Sequence, residues 1–163
     1  MSPKVIVVTG TPGTGKTSIG RLLSEKIRGH YINLSDLVLT EKMYVGYDED
    51  RESYIIDEKI VVRKIRELYS TIKEDFLIID THYPEVVPGD IVYAYIVLRI
   101  KPSELKKRLV NRGWKTMKVV ENVEAELLGS CSISVRSVES KAIIVEVDVS
   151  NGDPEKVVEK ILD

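Results

Sequence analysis

A glycine-rich segment near the beginning of the chain carries the strongest chemical signal. It reads Gly10-Thr11-Pro12-Gly13-Thr14-Gly15-Lys16-Thr17 and fits the phosphate-loop pattern G-x-x-x-x-G-K-[ST] at every fixed position. Glycines allow backbone N–H groups to converge on phosphate oxygens, and the helix that follows adds partial positive charge at its first turn. We expect Lys16 to reach the β- and γ-phosphates and Thr17 to ligate Mg²⁺. The segment therefore predicts a nucleoside triphosphate site.

Two further side chains with chemical potential, Asp80 and His82, follow a predicted buried strand. Asp80 at the tip of that strand can hold Mg²⁺ through water, and His82 can position a water molecule or an acceptor oxygen. From the residues alone, a buried and hydrogen-bonded imidazole explains His82 equally well. His30, the other histidine, is interpreted as structural.

A basic segment between 106 and 118 is a candidate lid over the phosphates. Arg108 and Arg112 lie four residues apart and project from one helical face. Because phosphoryl transfer depends on positioning and on charge neutralisation, a mobile segment that bears arginines is chemically expected. We interpret Arg112 as functional and leave Arg108 open between the site and the helix surface. The other cations are assigned to the surface: Lys106, Lys107, Lys115 and Lys118.

The elements that must position these residues alternate between strands and helices. Short apolar strands are predicted at 5–8, 30–32, 76–79, 91–98 and 142–147, whereas 33–54 shows no clear period. Alternation of this kind predicts an α/β fold with a five-stranded parallel sheet and helices on both faces. We expect residues 1–163 to form a single P-loop NTPase domain.

The composition argues against several other classes of function. Lys and Arg number 24 against 26 Asp and Glu, so the formal charge of −2 gives no reason to expect direct RNA binding. One cysteine cannot form an internal disulfide. No apolar run approaches the roughly 20 residues of a membrane span, so we expect a cytoplasmic protein with no membrane partner.

The D-x-x-G and N-K-x-D motifs of switch GTPases are missing after the loop, and their absence favours a small kinase.

Several segments, in their order along the chain, resemble the adenylate kinase isoenzyme 6 family. Besides the phosphate loop they are Tyr31-Ile32-Asn33, Gly46-Tyr47-Asp48-Glu49, Asp80-x-His82, Val97-Leu98-Arg99, Arg112-Gly113 and Glu121-Asn122-Val123-x-Ala125-Glu126. The resemblance spans nearly the whole chain. It implies a nucleoside monophosphate kinase type of fold, with a monophosphate-binding insertion near 33–56 and a short lid near 111–121.

The resemblance also implies an activity and the residues that carry it. ATP and AMP would give two ADP, with Mg²⁺ as cofactor and an additional ATPase activity. Lys16 and Arg112 would be catalytic, and Asp80 with His82 would form an atypical Walker B element. A role in maturation of the small ribosomal subunit and its rRNA is implied as well, through binding of one small-subunit ribosomal protein of the platform. The ATP-binding residues would be Gly13, Thr14, Gly15, Lys16, Thr17, Ser18 and Arg112, with Arg108 as a further candidate.

The acceptor side is less well defined by the sequence. Asn33, Ser35 and Asp36 are candidates for reading AMP, while a helix N-cap at Ser35 or Asp36 is the alternative. The longer adenylate kinases carry arginines after the corresponding strand and after the lid, and here 83–85 and 121–128 contain none. Three hypotheses therefore stay open: an AMP kinase with ATPase activity, a ribosome-assembly ATPase with incidental AMP kinase activity, and a small-metabolite P-loop kinase.

Overall fold

The computed structural model describes residues 2–163, which alternate between strands and helices. The strands are β1 (Lys4–Gly10), β2 (His30–Asn33), β3 (Tyr44–Asp48), β4 (Ser53–Ile56), β5 (Phe76–Asp80), β6 (Val92–Arg99) and β7 (Ile143–Asp148). The α-helices are α1 (Lys16–Ile27), α2 (Leu34–Thr40), α3 (Glu58–Thr71), α4 (Pro102–Asn111), α5 (Thr116–Leu128), α6 (Ser130–Ser137) and α7 (Pro154–Leu162). Among these described residues, no helix is both long enough and apolar enough to cross a membrane.

The main sheet has five strands in the order β2-β5-β1-β6-β7, and every neighbouring pair is parallel. This confirms the predicted α/β fold. β1 lies at the centre of the sheet, with β5 on one side and β6 on the other. The chain runs from β1 to the β2–β5 side of the sheet and later crosses to the β6–β7 side, so the order of the strands reverses at β1. A crevice opens at the carboxyl ends of the strands at such a reversal. The phosphate loop follows β1 at that point.

The core lies in two layers because the strands are apolar on both faces. In β1, Val5 and Val7 belong to the layer that contains the buried residues of α3, while Ile6 and Val8 belong to the layer that contains those of α1. Alternate residues of a strand point to opposite faces, so one short run of β-branched residues serves both layers. Burial of this apolar surface is the main stabilising contribution, and it holds the end of β1 in a fixed position.

The segment between β2 and α3 has more regular structure than the sequence predicted. Here the chain forms α2 and then an antiparallel hairpin of β3 and β4, which is a separate two-stranded sheet. Tyr44 and Tyr47 pack on Tyr54, with ring centroids 4.4 and 5.0 Å apart. The strands are five and four residues long, and several of their apolar side chains face solvent, which hides their period in the sequence. Helix α6 was also not predicted, since its serines favour a helix only weakly.

Candidate functional site

The phosphate loop is a tight turn whose shape its own backbone maintains. Gly13 and Gly15 have φ angles of 98° and 95°, in the left-handed region that glycine adopts readily. Thr14 closes the turn, because its N–H and its hydroxyl both donate to the carbonyl of Thr11, at 3.2 and 2.8 Å. A Cβ atom at Gly13 would lie 2.9 Å from a methyl group of Leu105 in α4. The loop is therefore packed against α4 as well as closed on itself.

Lys16 is the first residue of α1 and lies in the field of Asp80. Burial lowers the pKa of the Lys16 ammonium, and the Asp80 carboxylate opposes that shift. Arg112 adds a further lowering of the Lys16 pKa because its charge has the same sign. A bound phosphate would supply the counter-charge that this partly desolvated ammonium needs.

Asp80 is held by hydroxyl groups from two neighbouring elements. Its Oδ2 accepts from Thr17 Oγ1 at 2.9 Å and from Tyr31 OH at 2.6 Å. Asn33 Nδ2 in turn donates to Thr17 Oγ1 at 3.4 Å. The parallel register of β5 with β1 and β2 places Asp80 level with Val8 and Asn33, which explains the convergence. Burial and the Asp80 carboxylate together raise the pKa of Tyr31 to about 12, so Tyr31 remains a donor.

Thr17 and Asp80 fit the requirements of Mg²⁺. A hydroxyl and a carboxylate oxygen 2.9 Å apart are hard oxygen ligands of the kind that this ion prefers. Within residues 2–163, no cluster of three or more His, Cys, Asp or Glu has the geometry to hold a metal. The protein would therefore supply few ligands, and phosphate oxygens and water would supply the others, as is usual for Mg²⁺ in nucleotide sites.

A cavity of about 300 Å³, here called the P-loop cavity, lies beside the loop. Thr14, Gly15 and Ser18 contribute polar groups to its wall, and Arg108 and Arg112 line it from α4 and the residue after α4. The rest of the wall is mainly apolar. A cavity that combines phosphate donors with apolar side chains suits a nucleotide. The apolar lining consists of Ile19, Val149, Pro154 and Val157.

Arg108 resolves the question that the sequence left open, because it is tied to the loop. Its Nη1 donates to the carbonyls of Gly13 and Thr14 at 3.3 and 3.4 Å, and its Nη2 donates to the carbonyl of Val149 at 3.1 Å. The guanidinium therefore joins the phosphate loop to the segment after β7 while it lines the P-loop cavity. Arg112 lines the same cavity from an exposed position at the end of α4.

His82 lies where two other cavities meet. The central cavity, about 440 Å³, lies between the loop and α5, and the hairpin cavity, about 190 Å³, lies between α2 and β4. Ser53, His82 and Tyr83 line both of them. Burial lowers the pKa of His82 to about 4, and the charges of Lys16 and Lys118 act in the same direction. The imidazole is therefore neutral at pH 7 and can accept a hydrogen bond.

The three candidate acceptor residues lie in different surroundings. Asn33 is the N-cap of α2, and its side chain accepts from the backbone N–H of Asp36 at 3.2 Å. The predicted cap at Ser35 or Asp36 is wrong, because the helix begins earlier, at Leu34. Ser35 lines the hairpin cavity together with Val38, Leu39, Tyr54 and Ile56. Asn33 thus contacts the Thr17 side of the site, and Ser35 contacts the hairpin side.

Two cations that sequence reasoning did not place in the site line the central cavity. Arg51 reaches it from the turn between β3 and β4. Lys118, which the sequence analysis assigned to the surface, reaches it from the first turn of α5 and is half-buried. No local pattern distinguishes these two residues from other exposed cations, because the hairpin and α5 are far apart in the sequence.

The buried carboxylate of Glu126 accepts a hydrogen bond from Thr11 of the phosphate loop. Glu126 of α5 is 3% exposed. Its Oε1 accepts from Arg99 Nε at 3.1 Å and from the N–H of Ile100 at 3.3 Å, and its Oε2 accepts from Thr11 Oγ1 at 3.4 Å. Burial raises the pKa of Glu126, and Arg99 opposes the rise. Sequence reasoning assigned no role to either residue, although both lie in segments that resemble the kinase family.

The fold and the loop together define the class: the protein is a P-loop kinase. A shikimate kinase from Bacteroides thetaiotaomicron has the same fold, with a TM-score of 0.64 at 15% identity over 97% of this chain and 95% of that one. The sequence profile of the family described as "AAA domain" matches residues 6–129. The chain belongs to this family of P-loop proteins and, within it, to a group of archaeal homologues.

Two of these homologues carry the same name, "Putative adenylate kinase". The protein of Saccharolobus solfataricus is 43% identical over 159 residues, which cover 97% of this chain and 81% of the relative. The protein of Methanocaldococcus jannaschii is 37% identical over 158 residues, which cover 97% of this chain and 84% of the relative. Identity at this level over most of both chains establishes common descent.

Proposed function

We propose that the protein is an adenylate kinase that transfers the γ-phosphoryl group of Mg²⁺-ATP to AMP and yields two ADP. The observation that carries the proposal is the junction at His82, where the hairpin cavity meets the central cavity beside the phosphate loop. Two nucleotides bound on either side of this junction would have their phosphates close together. The names of the archaeal relatives support AMP as the acceptor.

Each part of the site has a task in this reaction. Gly13, Gly15 and Lys16 bind the ATP phosphates, and Arg112 compensates charge that develops on the transferred group. Thr17 and Asp80 would hold Mg²⁺, which supplies charge neutralisation at the phosphates when it is bound. An oxygen of the AMP phosphate attacks the γ-phosphorus in line, and the bond to the β–γ bridging oxygen breaks.

The hairpin cavity suits the base of the acceptor. Its walls are mostly apolar, and Ser35 adds a hydroxyl that can donate or accept a hydrogen bond at the base edge. Tyr54 provides an aromatic face that is 44% exposed. Stacking on an aromatic ring and a few polar contacts are typical of nucleobase recognition.

ATP hydrolysis is a second candidate activity, and His82 is the observation that favours it. A neutral imidazole at the mouth of the central cavity can orient a water molecule for attack on the γ-phosphorus. We expect His82→Ala to reduce phosphate release without AMP more than it reduces AMP phosphorylation. Equal losses in both reactions would remove this special role.

One assay tests the two activities together. Purified protein receives Mg²⁺-ATP alone, with AMP, with other nucleoside monophosphates, or with shikimate and gluconate as small-metabolite acceptors. ADP formation that depends on AMP supports the adenylate kinase. Phosphate release without an acceptor supports the ATPase, and activity with only a small metabolite would contradict both.

A role in small-subunit maturation is part of the proposal and rests on the resemblance to the isoenzyme 6 family. The segments that support it are Gly46-Tyr47-Asp48-Glu49 and Asp80-x-His82, which distinguish that family from other P-loop kinases. We expect the protein to bind one ribosomal protein of the small-subunit platform, with an affinity that changes between ATP and ADP. Co-purification of the two recombinant proteins, with each nucleotide present, measures this.

A further inference from the structure

We propose that Arg51 and Lys118 form the binding site for the phosphate group of the acceptor nucleotide. This inference rests on the proposed AMP kinase function. It names the side chains that would replace the arginines that the longer adenylate kinases carry after the strand corresponding to β5 and after the lid. No sequence pattern points to either residue, and their shared position in the central cavity is the basis of the argument.

The chemistry requires cations at this place. An acceptor phosphate carries up to two negative charges and must approach a triphosphate that is itself highly charged, so the transfer site needs cationic side chains beyond the phosphate loop. The residues after His82, at 83–85, contain no arginine, and neither does 121–128 of α5. Lys16, Arg108 and Arg112 are committed to the loop and the P-loop cavity.

Two cations from different elements line the central cavity. Arg51 belongs to the turn of the hairpin, and Lys118 belongs to the first turn of α5. The charge of Lys118 lowers the pKa of His82, and that of Arg51 opposes the rise in the pKa of Tyr83. Both cations therefore act on the pair of residues at which the central and hairpin cavities meet.

This position suits an acceptor phosphate. Ser53, His82 and Tyr83 line both cavities, so a nucleoside in the hairpin cavity would lie next to the central cavity. The phosphate of that nucleotide would then enter the central cavity between Arg51 and Lys118. Glu121 also lines the cavity, and its single carboxylate leaves the two cations in excess.

Two contacts shape the hairpin turn and link it to α5. The backbone N–H of Arg51 donates to Asp48 Oδ1 at 3.1 Å, which shapes the turn. The next residue, Glu52, forms an ion pair with Lys115 at the start of α5. Because this ion pair ties the turn to α5, it keeps the base of the Arg51 side chain beside the cavity that Lys118 lines. The pair is a positioning contact rather than a phosphate ligand.

The test compares binding of AMP with binding of adenosine, which lacks only the phosphate. Calorimetric titrations use the full chain and the variants Arg51→Gln, Lys118→Gln and Arg63→Gln. Arg63 is the matched control, since it is an exposed arginine on α3 that lines none of these cavities. Steady-state KM values for AMP and for ATP are measured on the same four proteins.

We expect Arg51→Gln to weaken AMP binding by about tenfold or more and Lys118→Gln by about fivefold, the loss expected for one charge-assisted contact each. Adenosine affinity and the KM for ATP should stay within about twofold of the wild-type values, since neither contact involves the sugar, the base or the donor nucleotide. Arg63→Gln should match the wild-type protein throughout. A variant that is merely misfolded would lose adenosine binding too, and so would be recognised.

Each contrary result identifies what failed. AMP affinities of Arg51→Gln and Lys118→Gln equal to that of the wild type would overturn this inference and leave the proposed function intact. Equal weakening of AMP and adenosine would also overturn it, because the effect would then not concern the phosphate. If the wild-type protein binds no AMP, the proposed function and this inference are both wrong.

Discussion

The proposed donor side and the proposed acceptor side of this protein are built in different ways. On the donor side, the phosphate loop is closed by backbone hydrogen bonds, packed on α4 and tied by Arg108 to the segment after β7. On the acceptor side, the hairpin of β3 and β4 is a sheet of its own, with exposed tyrosines and an ion pair from Glu52 to Lys115.

This difference in construction suggests that the stability of the fold and the choice of acceptor depend on different parts of the chain. The phosphate loop follows the central strand β1 and is tied to neighbouring elements through Arg108, so a change that breaks these ties disturbs both binding and folding. A two-stranded hairpin contributes little stability by itself. Residues of the hairpin can therefore change with the acceptor at small cost to the fold, whereas the triphosphate site must keep its geometry.

Lys16→Met should abolish turnover with and without AMP, with a loss of at least about 10³-fold, because the loop loses the cation that faces the phosphates. The fold should survive, since a partly desolvated ammonium is replaced by an apolar side chain of similar length. Coupled-enzyme assays and thermal unfolding measure the two quantities. Retention of near-normal rates would refute the assignment of the triphosphate site.

His82 should make stability depend on pH in a defined direction. Its pKa in the folded protein is about 4, below the ordinary value of 6.5, so the unfolded chain binds the extra proton first as the pH falls. Stability is then lost between about pH 6.5 and pH 4, by about 2 kcal/mol from pH 7 to pH 5. Urea unfolding of the wild type and of His82→Gln at both pH values measures this, and the variant should show the shallower dependence.

Arg108→Ala and Arg112→Ala should separate support of the donor site from contact with the nucleotide. Arg108 donates to three backbone carbonyls, so its removal should lower the free energy of unfolding by about 1–2 kcal/mol. Arg112→Ala should leave stability nearly unchanged and lower kcat, because this side chain is exposed and lines the cavity proposed for the donor nucleotide. Chemical denaturation and steady-state kinetics report the contrast. Equal destabilisation by both variants would contradict it.

Tyr54→Ala should raise the KM for AMP by about tenfold and change the free energy of unfolding by less than about 1 kcal/mol, because an exposed ring is lost from the hairpin cavity. Tyr93→Ala is the matched control. Both tyrosines are 44% exposed, and Tyr93 lies on β6 away from the hairpin cavity. A parallel rise in KM for both variants would show that the effect is not specific to the acceptor cavity.

Part of this architecture follows from local sequence. The loop pattern needs only consecutive residues, and Val5 to Val8 identify a strand buried on both faces because four adjacent apolar residues suffice. Thr17 and Asp80 were each assigned to Mg²⁺ from the loop pattern and from the strand that ends at Asp80. The structure brings the two together, with a hydroxyl–carboxylate distance of 2.9 Å.

Other features depended on contacts that local sequence does not encode. Asn33 rather than Ser35 caps α2, since the helix begins where β2 leaves the sheet, and Lys118 is half-buried because α5 packs over the central cavity. Arg51 and Lys118 are separated by 66 intervening residues, and only the tertiary arrangement of the hairpin and α5 brings them to one cavity.

By itself, the sequence determined the sheet and the phosphate loop, because periodicity and backbone freedom are properties of neighbouring residues. The tertiary structure alone decided which charged side chains meet in the central cavity. Their charges act through space, and the distances between them depend on how distant segments of the chain pack together.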